Sequence, residues 1–135
     1  PDALERAMAS VANNLDKGVA RGKVEPDARD AALSLLSTTT ELEASVDGVQ
    51  AVIEAVPEKL ELKRSLFADI SARVAPTTLL ATNTSSLPIG DIASAASDPS
   101  RVTGMHFFNP VHIMKLVEVV RADRSYGPTA SLILS

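Results

Sequence analysis

The sequence has no cysteine and no tryptophan, and its aromatic residues are Phe67, Phe107, Phe108 and Tyr126. Without cysteine there is no disulfide framework, no thiolate metal site and no cysteine nucleophile. Two histidines, His106 and His112, make a poor set of transition-metal ligands. With so few rings, the core has to be built from Leu, Ile, Val and Ala. Positive charge is short as well: 13 Lys and Arg against 17 Asp and Glu give a net charge of −4. That is the wrong sign for a nucleic-acid surface. No apolar run approaches the ~20 residues of a membrane-spanning helix, and no signal-peptide pattern opens the chain. Glycine is sparse too. None of the six glycines lies two positions from another, so the phosphate-binding turn G-x-G-x-x-G is not present.

What remains is 135 residues, 45% hydrophobic and 22% charged, the make-up of about one soluble globular domain. A cytoplasmic α/β protein fits these limits. The chain opens on a helix with Asp2 placed to cap it and Glu5 at the partner position of a capping box. Leu4, Met8, Val11, Leu15 and Val19 then form one apolar stripe, and Gly22 is a natural stop. Pro26 suits the first position of a second helix, which runs to about Leu36. The polar, β-branched stretch Ser37–Thr40 reads as a short edge strand.

From Val49 the pattern changes. Val49–Val56 is an almost continuous apolar run closed by Pro57, as expected of a strand buried on both faces of a parallel sheet. Glu58 to Val74 is periodic, with Leu62, Leu66, Phe67, Ile70 and Val74 on the inward face. Thr78–Asn83 reads as a strand, Pro88 to Ala96 as a short helix, and Arg101–Phe108 and Leu116–Arg121 as two more strands. Alternating strands and helices with short connections predict a parallel, doubly wound α/β sheet. Residues 126–135 hold a Tyr-Gly-Pro turn and an apolar scrap, and both ends of the chain read as cut.

Three groups of residues could carry chemistry. Asn83-Thr84-Ser85-Ser86 directly follows a strand, and ligands in open α/β sheets bind beyond the carboxyl ends of strands. The same residues would equally serve as a capping turn for the next helix. His106 lies near the end of a strand, and Glu118 is the one acid inside the apolar run Leu116–Val120. An unpaired carboxylate there would be costly, so the imidazole is its natural partner. Glu118 would orient one ring nitrogen and leave the other as a general base. A plain core ion pair, or an edge strand with Glu118 facing water, fits the spacing as well. Glu58 and Lys63, at the start of the long helix, read by themselves as a solvated helix face. His112 reads as a surface loop residue.

Four segments occur in order along the chain: Val52-Ile53-Glu54-Ala55-Val56-Pro57-Glu58, Asn83-Thr84-Ser85-Ser86-Leu87, His106-Phe107-Phe108-Asn109-Pro110 and Met114-Lys115-Leu116-Val117-Glu118. In sequence and spacing they resemble the 3-hydroxyacyl-CoA dehydrogenases. The resemblance implies a Rossmann-type NAD-binding domain, partial here, over 1–125, with 126–135 as a truncated or atypical tail. On that comparison the chain lacks the family's first two strands, its glycine-rich turn and its helical C-terminal domain. An open sheet edge would then lie between Ser37–Thr40 and Val49–Val56. The resemblance further implies NAD as cofactor, an acyl-CoA substrate and a homodimer formed through the C-terminal domain. It assigns His106 as catalytic base, Glu118 as its orienting carboxylate, and Ser85 as a hydrogen-bonding group beside the reacting hydroxyl and the nicotinamide. It also assigns Asn109 to the nicotinamide pocket, Glu58 and Lys63 to the cofactor ribose, and the first helix to the coenzyme A contact. Two other readings stay open: a non-catalytic relative that keeps the His–Glu pair, and a β-hydroxyacid dehydrogenase, whose usual lysine base the His106/Glu118 pattern counts against.

Overall fold

The computed structural model describes residues 2–122, and the chain forms two compact units, Pro1–Ser45 and Val46–Ser135. The expected tail at 126–135 lies outside the described residues.

The first unit holds α1 (Asp2–Ala20) and α2 (Pro26–Ser34). Asp2 is itself helical, so it does not cap from outside; with Glu5 it puts negative charge on the first turn, where the helix dipole favours it. Gly22 ends α1 as expected. Its φ of 63° lets its N–H reach the Val19 carbonyl while the Lys23 N–H reaches that of Gly18, a Schellman closure that a β-carbon would strain. Pro26 starts α2, and Arg29 Nε ties it to Asp16 of α1 at 2.9 Å. Ser37–Thr40 forms no strand. The Thr39 hydroxyl instead accepts the Glu41 N–H at 3.0 Å, a side-chain-to-backbone bond that favours turns and helix starts over ladders. A one-turn helix unforeseen in the sequence, α3 (Leu42–Val46), follows.

The second unit is built on a sheet ordered β1-β2-β3-β4, comprising β1 (Ala51–Glu54), β2 (Leu79–Thr82), β3 (Val102–Phe107) and β4 (Val117–Arg121). Each strand is shorter than the apolar run that signals it. β1, β2 and β3 are parallel, as the alternating pattern predicts. β4 is antiparallel to β3, which departs from a fully parallel sheet. The connection, residues 108–116, is shorter than the dozen or so residues that a parallel crossover needs. β1 pairs on one side only among the described residues.

Between β1 and β2 runs α4 (Leu60–Arg73); α5 (Ile89–Ala93) and a 3-10 turn (Pro99–Arg101) lead from β2 to β3. Phe67 and Ile70 of α4, Leu80 of β2, Ile92 of α5 and Val102 of β3 are buried together with Ala81 and Ala93. Each large side chain so covered contributes about 1.5–3 kcal/mol. Gly104 is needed for close approach: a β-carbon there would stand 2.8 Å from Ile89 Cδ1 and 3.0 Å from Val120 Cβ. No helix among the described residues is long and apolar enough to cross a membrane.

The rotation of α4 differs from the expected one. Leu62 is 42% exposed, while Lys63, Phe67, Ile70 and Ser71 form the buried face. The apolar row at 67, 70 and 74 extends back to position 63, not 62, and carries the lysine into the interior.

Candidate active site

The carboxyl ends of β1, β2 and β3 point the same way, because the three strands are parallel, and the polar residues gather there. His106 on β3 lies directly opposite Glu118 on β4 in the antiparallel register. Opposed residues of such a ladder share a face and bring their side chains together. His106 Nδ1 stands 2.9 Å from Glu118 Oε2. A carboxylate only accepts, so a ring proton sits on Nδ1, and in the neutral imidazole that leaves Nε2 as an acceptor. The Ser85 hydroxyl, on the loop after β2, meets Nε2 at 3.2 Å. Phe108 leans on the imidazole with ring centroids 4.7 Å apart.

Of the placements open for Glu118, the structure shows the His106 pairing together with an outer strand whose carboxylate faces water. The His106 side chain is 22% exposed and that of Glu118 53%, because β4 is an outer strand of the sheet and its carboxylate faces outward. Desolvation does not force this pairing; strand register does.

The loop carrying Ser85 is held from below. Glu58 Oε1 accepts the Thr84 hydroxyl, the Ser85 N–H at 3.0 Å and the Ser86 N–H at 3.3 Å. Burial works to raise the Glu58 pKa, but these bonds, led by that from Thr84 and helped by nearby Lys63, hold it below the ordinary glutamate value. The helix α4 starts at Leu60, after an extended Lys59, and not at Glu58. Thr84 accepts the Leu87 N–H at 3.0 Å, so the Asn83–Ser86 segment is both a local turn and a site loop: Thr84 serves the turn and Ser85 the histidine.

Lys63 is not on a solvated helix face. Its side chain and that of Glu54 are both 0% exposed. The ammonium donates to Glu54 Oε1 at 2.8 Å and Oε2 at 3.0 Å, and to the Asn83 carbonyl at 2.9 Å, and it lies 3.5 Å from Glu58 Oε2. Glu54 also accepts the Thr82 hydroxyl and the Val56 N–H, each at 2.6 Å. Asn83 Oδ1 accepts the Phe107 N–H at 3.3 Å, joining the ends of β2 and β3. Asn109 is exposed just beyond β3, and His112 is exposed in the following turn. The site thus brings Ser85, His106, Glu118 and Glu58 into one connected arrangement, with Lys63 beneath it and Asn109 at its margin. Sequence reasoning missed Glu54, and it placed Asn83 in the candidate loop without a role of its own. The available signal was Lys63 itself, whose place in an apolar helical row demands a buried acid. No cluster of potential metal ligands occurs among the described residues.

Comparison with known proteins identifies the family and agrees with the fold. Residues 1–133 match the family described as 3-hydroxyacyl-CoA dehydrogenase, NAD binding domain. A fatty acid oxidation complex subunit alpha from Shewanella halifaxensis is 44% identical over 126 residues, covering 93% of this chain and 18% of that protein. A probable 3-hydroxyacyl-CoA dehydrogenase from Caenorhabditis elegans is 45% identical over 133 residues, covering 94% of this chain and 43% of its own length. The crystal structure of 3-hydroxybutyryl-CoA dehydrogenase from Escherichia coli K12 superposes with a TM-score of 0.94 at 39% identity, over 98% of this chain and 28% of that one. The chain therefore spans less than half the length of these relatives. With its fold, its strand-end polar cluster and a match over nearly all its length, the chain belongs to the family of the NAD-binding domain of 3-hydroxyacyl-CoA dehydrogenases.

Proposed function

We propose that the complete protein carrying this chain is an NAD-dependent 3-hydroxyacyl-CoA dehydrogenase of fatty-acid oxidation or short-chain 3-hydroxyacyl-CoA metabolism. The observation that carries this is the hydroxyl–imidazole–carboxylate series Ser85–His106–Glu118 at the carboxyl ends of parallel strands. His106 Nε2 takes the proton of the substrate's 3-hydroxyl. Glu118 holds the ring through Nδ1 and offsets the positive charge that develops on it. Ser85 shares the contact with the reacting oxygen and keeps it in line with Nε2. NAD, when bound, supplies the acceptor for the hydride that leaves C3.

The donor set fits the nicotinamide half of such a cofactor. Glu58 and Lys63 are proposed for the ribose side, Glu58 by its partly open carboxylate and Lys63 from behind it; Asn109 is proposed for the rim of the nicotinamide pocket. Backbone N–H groups of a glycine-rich turn, which hold the pyrophosphate in this kind of fold, have no counterpart in the sequence. These 135 residues alone are therefore expected to bind NADH too weakly for detection at micromolar concentrations. The resemblance also supports an acyl-CoA substrate and a homodimer formed through a helical C-terminal domain; the cysteine-free composition is the ground for a cytoplasmic location. Absorbance of NADH formed from 3-hydroxybutyryl-CoA and NAD by the complete protein tests the activity. A complete protein that binds both compounds without transferring hydride would sink the proposal.

A further inference from the structure

We infer that Glu54, a residue that touches neither end of the Ser85–His106–Glu118 series, is a positioning residue for it. The inference rests on the dehydrogenase reading above for its catalytic consequence. Its structural half stands apart from that reading. Glu54 is the last residue of β1 and its carboxylate is wholly buried. Both oxygens are occupied, by Lys63, the Thr82 hydroxyl and the Val56 N–H, so it has no capacity left for a ligand. What it does, it does through its partners.

Those partners lead to Ser85 by two routes. Along one, Lys63 Nζ donates to the Asn83 carbonyl, two residues before Ser85, while the Asn83 side chain accepts the Phe107 N–H next to His106. Along the other, Lys63 faces Glu58, which accepts the N–H groups of Ser85 and Ser86 and the Thr84 hydroxyl. The carboxylate of Glu54 decides where the ammonium sits. Without that charge, the ammonium has only carbonyls and Glu58 to bind, and a buried cation drawn to Glu58 competes with the loop for the same carboxylate. The loop then loses its anchor and Ser85 leaves His106. A buried ion pair is not in general a strong source of stability, since apolar side chains of similar volume often serve as well. The placement of charge under the loop is what an apolar pair would not supply.

The test uses the complete protein with Glu54→Gln, which keeps shape and removes charge, and Glu54→Asp as the second variant should the first fail to fold. Ser85→Ala gives the NMR signature of an imidazole that has lost the hydroxyl. Ser71→Ala, which removes a buried acceptor of the Ser97 N–H far from the site, serves as a control for lowered stability alone. The Glu54 variant is expected to shift the His106 ring resonances toward those of Ser85→Ala. Turnover should fall by about 10- to 100-fold, in the range of a small misplacement of reacting groups, with KM for the acyl-CoA nearly unchanged. Ser71→Ala is expected to lower the melting temperature without either change. His106 resonances that stay at their wild-type positions in the Glu54 variant overturn the inference. So does a turnover loss no greater than that of Ser71→Ala. Failure of the wild-type protein to transfer hydride would instead count against the dehydrogenase reading, and the NMR comparison would still decide the role of Glu54.

Discussion

Two acid–base pairs stand at the same end of one sheet and differ in almost every physical respect. Glu54 and Lys63 are closed to solvent, with side chains at 0% exposure and their polar atoms bonded within the protein. His106 and Glu118 are partly open, and His106 presents Nε2 to a single serine hydroxyl. The buried pair has no freedom to exchange partners, and the open pair has an acceptor to spare. A site needs both: one group that can take a proton from outside, and a frame that does not move when it does. The contrast predicts that damage to the open pair appears chiefly in rate, while damage to the closed pair appears in stability as well as in the placement of the loop above it.

The largest effect is expected at the base. His106→Gln in the complete protein keeps a polar side chain between Ser85 and Glu118 but cannot accept a proton at Nε2. Loss of a general base typically lowers turnover by about 10²–10⁴-fold, and unfolding by urea should change little. Single-turnover hydride transfer measures it. A loss below about tenfold, well under that range, would remove His106 from the role and erase the distinction between the two pairs.

The closed pair is expected to show its effect in stability as well. Lys63→Met leaves the Glu54 carboxylate buried without its counter-charge, a loss of about 3–5 kcal/mol in comparable cases. Urea unfolding followed by circular dichroism is the measurement. A loss of less than about 1 kcal/mol, the scale of exposed pairs, would mean that Glu54 finds water or another donor.

How far this contrast could be read from sequence depends on which physical signal each residue carries. The strands were legible because short apolar runs bounded by Pro and polar turns announce them, and the His106–Glu118 partnership because each is the odd residue in its run. The exposure of Glu118 stays open in the sequence: an apolar strand signals a sheet, and only topology tells an outer strand from an inner one. Its direction was readable in hindsight, since the connection from β3 is too short for a crossover. Lys63, by contrast, was misjudged. Rows through 62 and 63 both fit the helical period over this stretch, and counting lysine as polar selects the wrong one. Ser37–Thr40 failed because β-propensity says nothing of whether a neighbouring strand exists to pair with. The hydrogen bonds of Glu54, Glu58 and Asn83 span 20 or more residues in several cases and leave no local pattern at all.

Glu118→Gln sharpens the comparison at a smaller scale. The amide keeps an oxygen to accept from Nδ1 but loses the charge that offsets the imidazolium. Because the pair is open to solvent, most of all at Glu118, its removal should cost at most about 1 kcal/mol of stability, far less than Lys63→Met. Turnover should still fall measurably. A destabilisation as large as that of Lys63→Met would show that exposure is a poor guide to the energetics of this sheet end.

The smallest expected effect concerns Glu58, which lies between the two regimes: its side chain is 38% exposed, yet it is bonded to Thr84, Ser85 and Ser86. Burial alone would raise its pKa; the hydrogen bonds win, and the folded value lies below the ordinary 4.5. A carboxylate whose pKa is lowered by folding contributes stability that is complete above its unfolded value. That contribution is lost as pH falls through the lower folded value. Wild type and Glu58→Gln should therefore differ most at neutral pH and converge as the pH drops below about 4.5. Solvent screening at a carboxylate this open keeps the difference small, so paired melting curves across the acid range are the suitable measurement. A gap between the two proteins that stays constant through that range would mean that the loop is held by the shape of the Glu58 side chain and not by its charge. It would also place Glu58 with the fixed frame, as a residue that acts through shape where Glu54 and Glu118 act through charge.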